Sequence, residues 1–90
     1  MEKWLECMIT PGQFSGEYAV QGKMFDGEGF SLFAPKEDLK FDREPETDKP
    51  VKGFVRIVTG PENNNLLMVS LPRPTFENGR TITVNASQIQ

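Results

Sequence analysis

Between residues 51 and 59 the chain alternates strictly. Val51, Gly53, Val55, Ile57 and Thr59 fall on one side, and Lys52, Phe54, Arg56 and Val58 on the other. A period of two belongs to a β-strand, whose successive side chains point to opposite faces. The same period recurs elsewhere. Leu5, Cys7 and Ile9 share a face in segment 3–9, with Trp4, Glu6 and Met8 opposite. Tyr18, Val20, Gly22 and Met24 share one in segment 17–25. Segments 30–34 and 66–71 are short apolar runs, and in segment 80–84 Thr81 and Thr83 alternate with Ile82 and Val84. The pattern predicts six short strands and no long helix.

What separates the strands is turn chemistry. Thr10-Pro11-Gly12 ends the first strand, because proline removes a ladder donor and glycine accepts unusual dihedrals. The loop at 11–16 carries one aromatic, Phe14, expected to fold back as a lid. Asp26-Gly27 is a strong hairpin signal for a type I′ turn, so residues 17–34 read as a hairpin. Gly22, in mid-strand, marks an expected bulge or bend. Pro35 and the acidic residues behind it suit a single 3-10 turn, with Leu39 and Phe41 plugging one end of the core. Residues 60–65 read as a six-residue polar turn, Pro72-Arg73-Pro74 as the end of the fifth strand, and Asn78-Gly79 as another turn. Residues 86–89 are expected to make a last short turn that docks Ile89.

Of the 14 residues from 36 to 49, 10 are charged, and Pro45 and Pro50 interrupt any helix there. Residues 42–50 therefore read as an exposed, mobile charged loop. Six strands at roughly 10-residue spacing, joined by Gly- and Pro-rich turns, indicate a small barrel or sandwich. The expected fold is all-β: a single domain over residues 1–90, forming a partly open SH3-like or Tudor-like barrel of five or six antiparallel strands. An oligonucleotide-binding barrel normally inserts a real helix where this chain has one short turn.

Size and charge narrow the function. Ninety residues suffice for one small domain, and Leu, Ile, Val and Phe make up 23 of them, enough for a core. No apolar run approaches the roughly 20 residues of a membrane span. The start, Met1-Glu2-Lys3-Trp4-Leu5-Glu6, lacks a secretory n-region, which with an unpaired Cys7 points to the cytoplasm. The net charge is −3, with −4 in residues 1–45 and +1 in residues 46–90. Such a balance argues against nucleic acid, whose binding draws on many cations. The best basic cluster is Lys52, Arg56, Arg73 and Arg80, with Phe54 and Phe76 interleaved, and it frames nucleic-acid binding as the alternative reading.

Catalytic chemistry is thinly supplied. There is no histidine, so Cys7, on the presumed core face, has no imidazole to activate it. The carboxylate pairs at Glu37-Asp38, Asp26/Glu28 and Glu44/Glu46 lie in predicted loops. Asp26-Gly27-Glu28 lacks the ligand spacing of a calcium loop, and Gly27/Gly29 lacks the following helix of a phosphate cradle. No enzyme, metal, cofactor or small-molecule substrate is expected. Nine aromatics are more than one barrel interior holds, so several are expected outside. The expected function is a non-enzymatic module that binds a protein partner or a second copy of itself. The residues chosen for that surface are Trp4, Met8 and Phe14, with Leu67 and Val69 from the fifth strand.

Overall fold

The structure is a computed structural model in which residues 2–77 and 79–90 are described, Glu2 by its backbone alone. It is all-β: one antiparallel sheet curls strongly into a half-barrel, consistent with a small SH3-like barrel. The strands are β1 (Glu2–Pro11), β2 (Glu17–Lys23), β3 (Gly29–Pro35), β4 (Leu39–Phe41), β5 (Val51–Asn63), β6 (Leu66–Thr75) and β7 (Gly79–Asn85). Their order is β3-β2-β1-β5-β6-β7, with the three-residue β4 on the side of β5 away from β1. Six of these are the strands read from alternation. β4 is the segment expected to be a plug: Leu39 is buried and Phe41 packs on the core, but both also pair with β5.

Alternation decides which faces are buried. Leu5, Cys7 and Ile9 of β1, Val20 of β2, and Phe30, Leu32 and Ala34 of β3 point inward. So do Val51, Val55 and Ile57 of β5, Leu67, Val69 and Leu71 of β6, and Ile82 and Val84 of β7. Together they form one core cluster. Burying a Val, Leu, Ile or Phe side chain stabilises by about 1.5–3 kcal/mol, so this face holds the sheet curled.

Turn details depart from the local reading where backbone pairing offers more. The expected six-residue turn at 60–65 is mostly strand. β5 runs to Asn63, and the reversal takes two residues, Asn64 and Asn65, at φ 53° and 69°. Both central positions of a type I′ hairpin turn need positive φ, and asparagine tolerates it. Pro72-Arg73-Pro74 does not end β6; the strand continues to Thr75, its register with β7 shifting between Ser70 and Thr75. At Asp26-Gly27 only Gly27 has positive φ, so the turn is not type I′. Instead the Met24 N–H donates to the Glu28 carbonyl, and Asp26 Oδ1 accepts the Glu28 N–H. Of the Asn78-Gly79 turn, Asn78 lies outside the described residues, and Gly79 has φ 71°.

Gly22 is not a bulge. It pairs in register with Phe30, and a Cβ there would lie 2.5 Å from the Phe30 ring. Residues 36–38 form the expected 3-10 turn, and a second covers residues 86–88. Beyond it Ile89 packs on the core, bridges Leu5, and lets the Gln90 N–H reach the Trp4 carbonyl. In the charged loop at 42–50, Pro45 is buried, contrary to a segment expected to bury nothing. Glu44 accepts the Tyr18 hydroxyl and pairs with Lys36, both on the exposed surface.

The barrel is incompletely closed. β3 lies beside β6 with no paired register between them. Phe76 donates its N–H to Ser31 of β3. Two and four residues earlier on β6, the donors that would point the same way belong to Pro74 and Pro72, which have none. Among the described residues, no helix is long and apolar enough to cross a membrane.

Candidate functional site

The ladder between β1 and β2 starts at Pro11–Tyr18 and stops at Met8–Gln21. On the same edge of β1 the bridge to the C-terminal segment comes at Leu5. Between these two pairings the sheet parts around Glu6 and Cys7. A cavity of about 450 Å³ occupies the gap, walled by β1 at Glu6 and Met8, by β2 at Gln21 and Lys23, and by Phe25. Gln88 closes its far side: its amide donates to the Lys23 carbonyl, and its Oε1 accepts the Asn85 N–H, each at 2.8 Å.

A second hollow of about 400 Å³ adjoins it and shares Met8, Gln21, Gly22 and Lys23. Its outer wall is Ser31 and Glu77. Cross-strand register explains the row: Lys52 of β5 opposes Met8, Met8 opposes Gln21, and Gln21 opposes Ser31. Met8 thus stands at the centre of a strip running across four strands. It is 42% exposed, and Phe25 at the cavity rim is 47% exposed.

The structure separates the residues chosen from sequence. Met8 belongs to this strip. Trp4 lies on the same outer face but is half-buried and covered by cations: Lys40 Nζ sits 4.2 Å from its ring centre and the Arg56 guanidinium 5.7 Å. Phe14 is not a lid, being 71% exposed on its loop. Leu67 and Val69 are corrections: both are buried, because β6 turns them inward with Leu71. The outward side chain between them is Met68, 47% exposed. β6 is also no sheet edge, since it pairs with β5 and β7, so it does not offer a second copy a free strand edge.

Phe25 and Phe76 were not among the residues chosen for the partner surface, although alternation over 17–25 sets Phe25 opposite Tyr18 and Phe76 was grouped with the basic cluster. In the structure each lies just past a strand end. Phe76 is 67% exposed and meets Phe33 edge to face at 5.3 Å.

The four cations of the alternative reading divide between strands. Lys52 and Arg56 lie on β5, where Arg56 pairs with Asp38 at 3.6 Å and also donates to the Glu37 carbonyl. Arg73 lines a small cleft with Glu17 and Phe33, and Arg80 donates to the Leu71 carbonyl. Cys7 is at the floor of the larger cavity yet only 5% exposed; burial, with Glu6 adding its charge, pushes the thiol up to about 12. A thiol so held is protonated at neutral pH and is a poor nucleophile. Among the described residues no three His, Cys, Asp or Glu side chains are grouped to hold a metal ion.

No family model matches the chain, and no curated protein or solved structure matches it either. Fold and surface therefore define it: a small antiparallel half-barrel with a parted sheet and, beside the gap on its outer face, two exposed apolar side chains, Met8 and Phe25, in an otherwise polar strip.

Proposed function

We propose that this chain is a non-enzymatic interaction module that binds another protein through the strip centred on Met8. The observation that carries the reading is the gap between β1 and β2, flanked by two exposed large apolar side chains, Met8 and Phe25. Exposed apolar side chains beside a preformed hollow are the usual anchors of a protein contact. The protonated, buried Cys7 supports a binding role over nucleophilic chemistry and fits a reducing compartment such as the cytoplasm.

Affinity capture from the native cell, with wild type beside Met8→Glu and Phe25→Ser, tests this. The expected result is a partner retained by wild type and lost by both variants, with unchanged far-ultraviolet circular dichroism. A partner set identical for all three overturns it. Light scattering of the pure chain identifies the case in which the partner is a second copy. Binding to mixed oligonucleotides that falls steeply with salt would favour the nucleic-acid reading instead.

A further inference from the structure

We infer that Phe76 and Glu77 occupy the edge of β3 as an internal stand-in for a partner strand, and that the partner segment displaces them. The inference rests on the protein-binding reading above and names the edge and the chemistry of the segment it takes.

Ser31 shows the substitution. Its carbonyl accepts the Phe76 N–H at 2.9 Å, as it would from a neighbouring strand. Its own N–H finds no backbone carbonyl there; Glu77 Oε1 accepts it at 2.9 Å, and Glu77 Oε2 accepts the Ser31 hydroxyl at 2.7 Å. One main-chain donor and one side-chain carboxylate thus reproduce a single antiparallel pair. The contact ends there, because Pro74 and Pro72 have no N–H to extend it toward Phe33. Phe76 adds an edge contact to Phe33 while most of its surface stays in water.

Glu77 and Ser31 also form the outer wall of the second hollow. Releasing Glu77 joins that hollow to the β3 edge and frees both main-chain groups of Ser31. A sheet edge with a free donor and acceptor takes an extended peptide by strand addition. The side chains now seated there state what fits: an extended segment presenting an aromatic residue followed by a carboxylate, the aromatic against Phe33 and the carboxylate on Ser31. Unlike Phe76 and Glu77, a segment without prolines at the preceding positions continues the ladder past Ser31.

Two measurements on the full chain decide the matter. In native-state hydrogen exchange, the Ser31 amide is expected to exchange at least tenfold faster than the Leu32 amide of the same strand, and faster still in Glu77→Ala. Equal protection of both amides, meaning that Ser31 opens only with global unfolding, overturns the inference. The second probe is a synthetic peptide of residues 72–80 in which both prolines are threonine, added to the Phe76→Ser/Glu77→Ala variant. Expected are chemical-shift changes at Ser31 and Phe33, with binding weaker by tenfold or more to wild type. No shift at these residues, or equal affinity for both proteins, overturns it. Partner capture that survives Met8→Glu while Ser31 opens locally separates failure of the Met8 surface from failure of this edge.

Discussion

The Phe30 ring lies over the backbone of Gly22 on the neighbouring strand, so closely that a methyl group on Gly22 would sit 2.5 Å from a ring carbon. Phe30 is 1% exposed and the largest of the fully buried side chains. Gly22→Ala is expected to destabilise by about 1–3 kcal/mol through overpacking, and Phe30→Ala by about 3–5 kcal/mol through the cavity left. Because the two side chains meet, Gly22→Ala with Phe30→Ala should cost less than the sum of the single changes. Urea unfolding of the four proteins measures this. Strict additivity would mean that the ring does not constrain the glycine.

Gly53 makes the other close approach. A Cβ there would run into the Lys40 carbonyl and Ile9, so β4 can lie against β5 only because residue 53 has no side chain. Gly53→Ala is expected to push β4 away and loosen Leu39, costing about 1–3 kcal/mol. Amide exchange should quicken at residues 39–41 more than in β6. Uniform change across the sheet would contradict a local displacement.

Cys7 gives the stability a sign at alkaline pH. Its folded-state value is about 12, above that of an exposed thiol. Above about pH 8.5 the unfolded chain loses the thiol proton while the folded chain keeps it. Stability therefore falls with rising pH by up to about 1.4 kcal/mol per pH unit until the folded value is reached. Thermal unfolding of wild type and Cys7→Ala between pH 8 and 10.5 should show the steeper fall in wild type, the residual slope of Cys7→Ala coming from groups such as Tyr18, whose hydroxyl is also shifted up. The native thiol should also resist a disulfide reagent that labels it at once in denaturant.

Glu77 has the opposite sign. The Ser31 hydroxyl and then the Ser31 N–H hold its carboxyl below the ordinary carboxylate value. The contribution of this contact is complete above that value and is lost as pH falls through the lower folded value. Below about pH 4.3 the Ser31 and Phe76 amides should lose protection before the core amides do, and Ser31→Ala should remove most of that difference. An acid response unchanged in Ser31→Ala would place the titrating group elsewhere.

The fold was largely legible because β-alternation is a local signal. Val51, Val55 and Ile57 could be assigned to one face from spacing alone, and every one is buried. The same rule correctly placed Cys7 in the core. It also contained the correction at β6: Leu67, Val69 and Leu71 alternate with Met68 and Ser70, but in a run this apolar the pattern does not say which set faces in. Hydrophobicity picked Leu67 and Val69 as surface anchors; the curl of the sheet buried them and left Met68 outside.

The site was less legible, since it is made of pairings between distant residues. Sequence supplied Met8 as an outward side chain and Gly22 as a special position. It did not show that β1 and β2 part at Glu6, that Phe25 borders the gap, or that Glu77 reaches Ser31 across 46 residues. The sequence alone determined a β period, the turn-rich punctuation between strands and the lack of an imidazole, because each is set by neighbouring residues or by composition. Only the tertiary structure decided which face of β6 is core, where the sheet parts, and how the half-barrel closes. Those depend on cross-strand register and on the two prolines that keep β6 from pairing with β3, a conflict that exists only once the strands lie side by side.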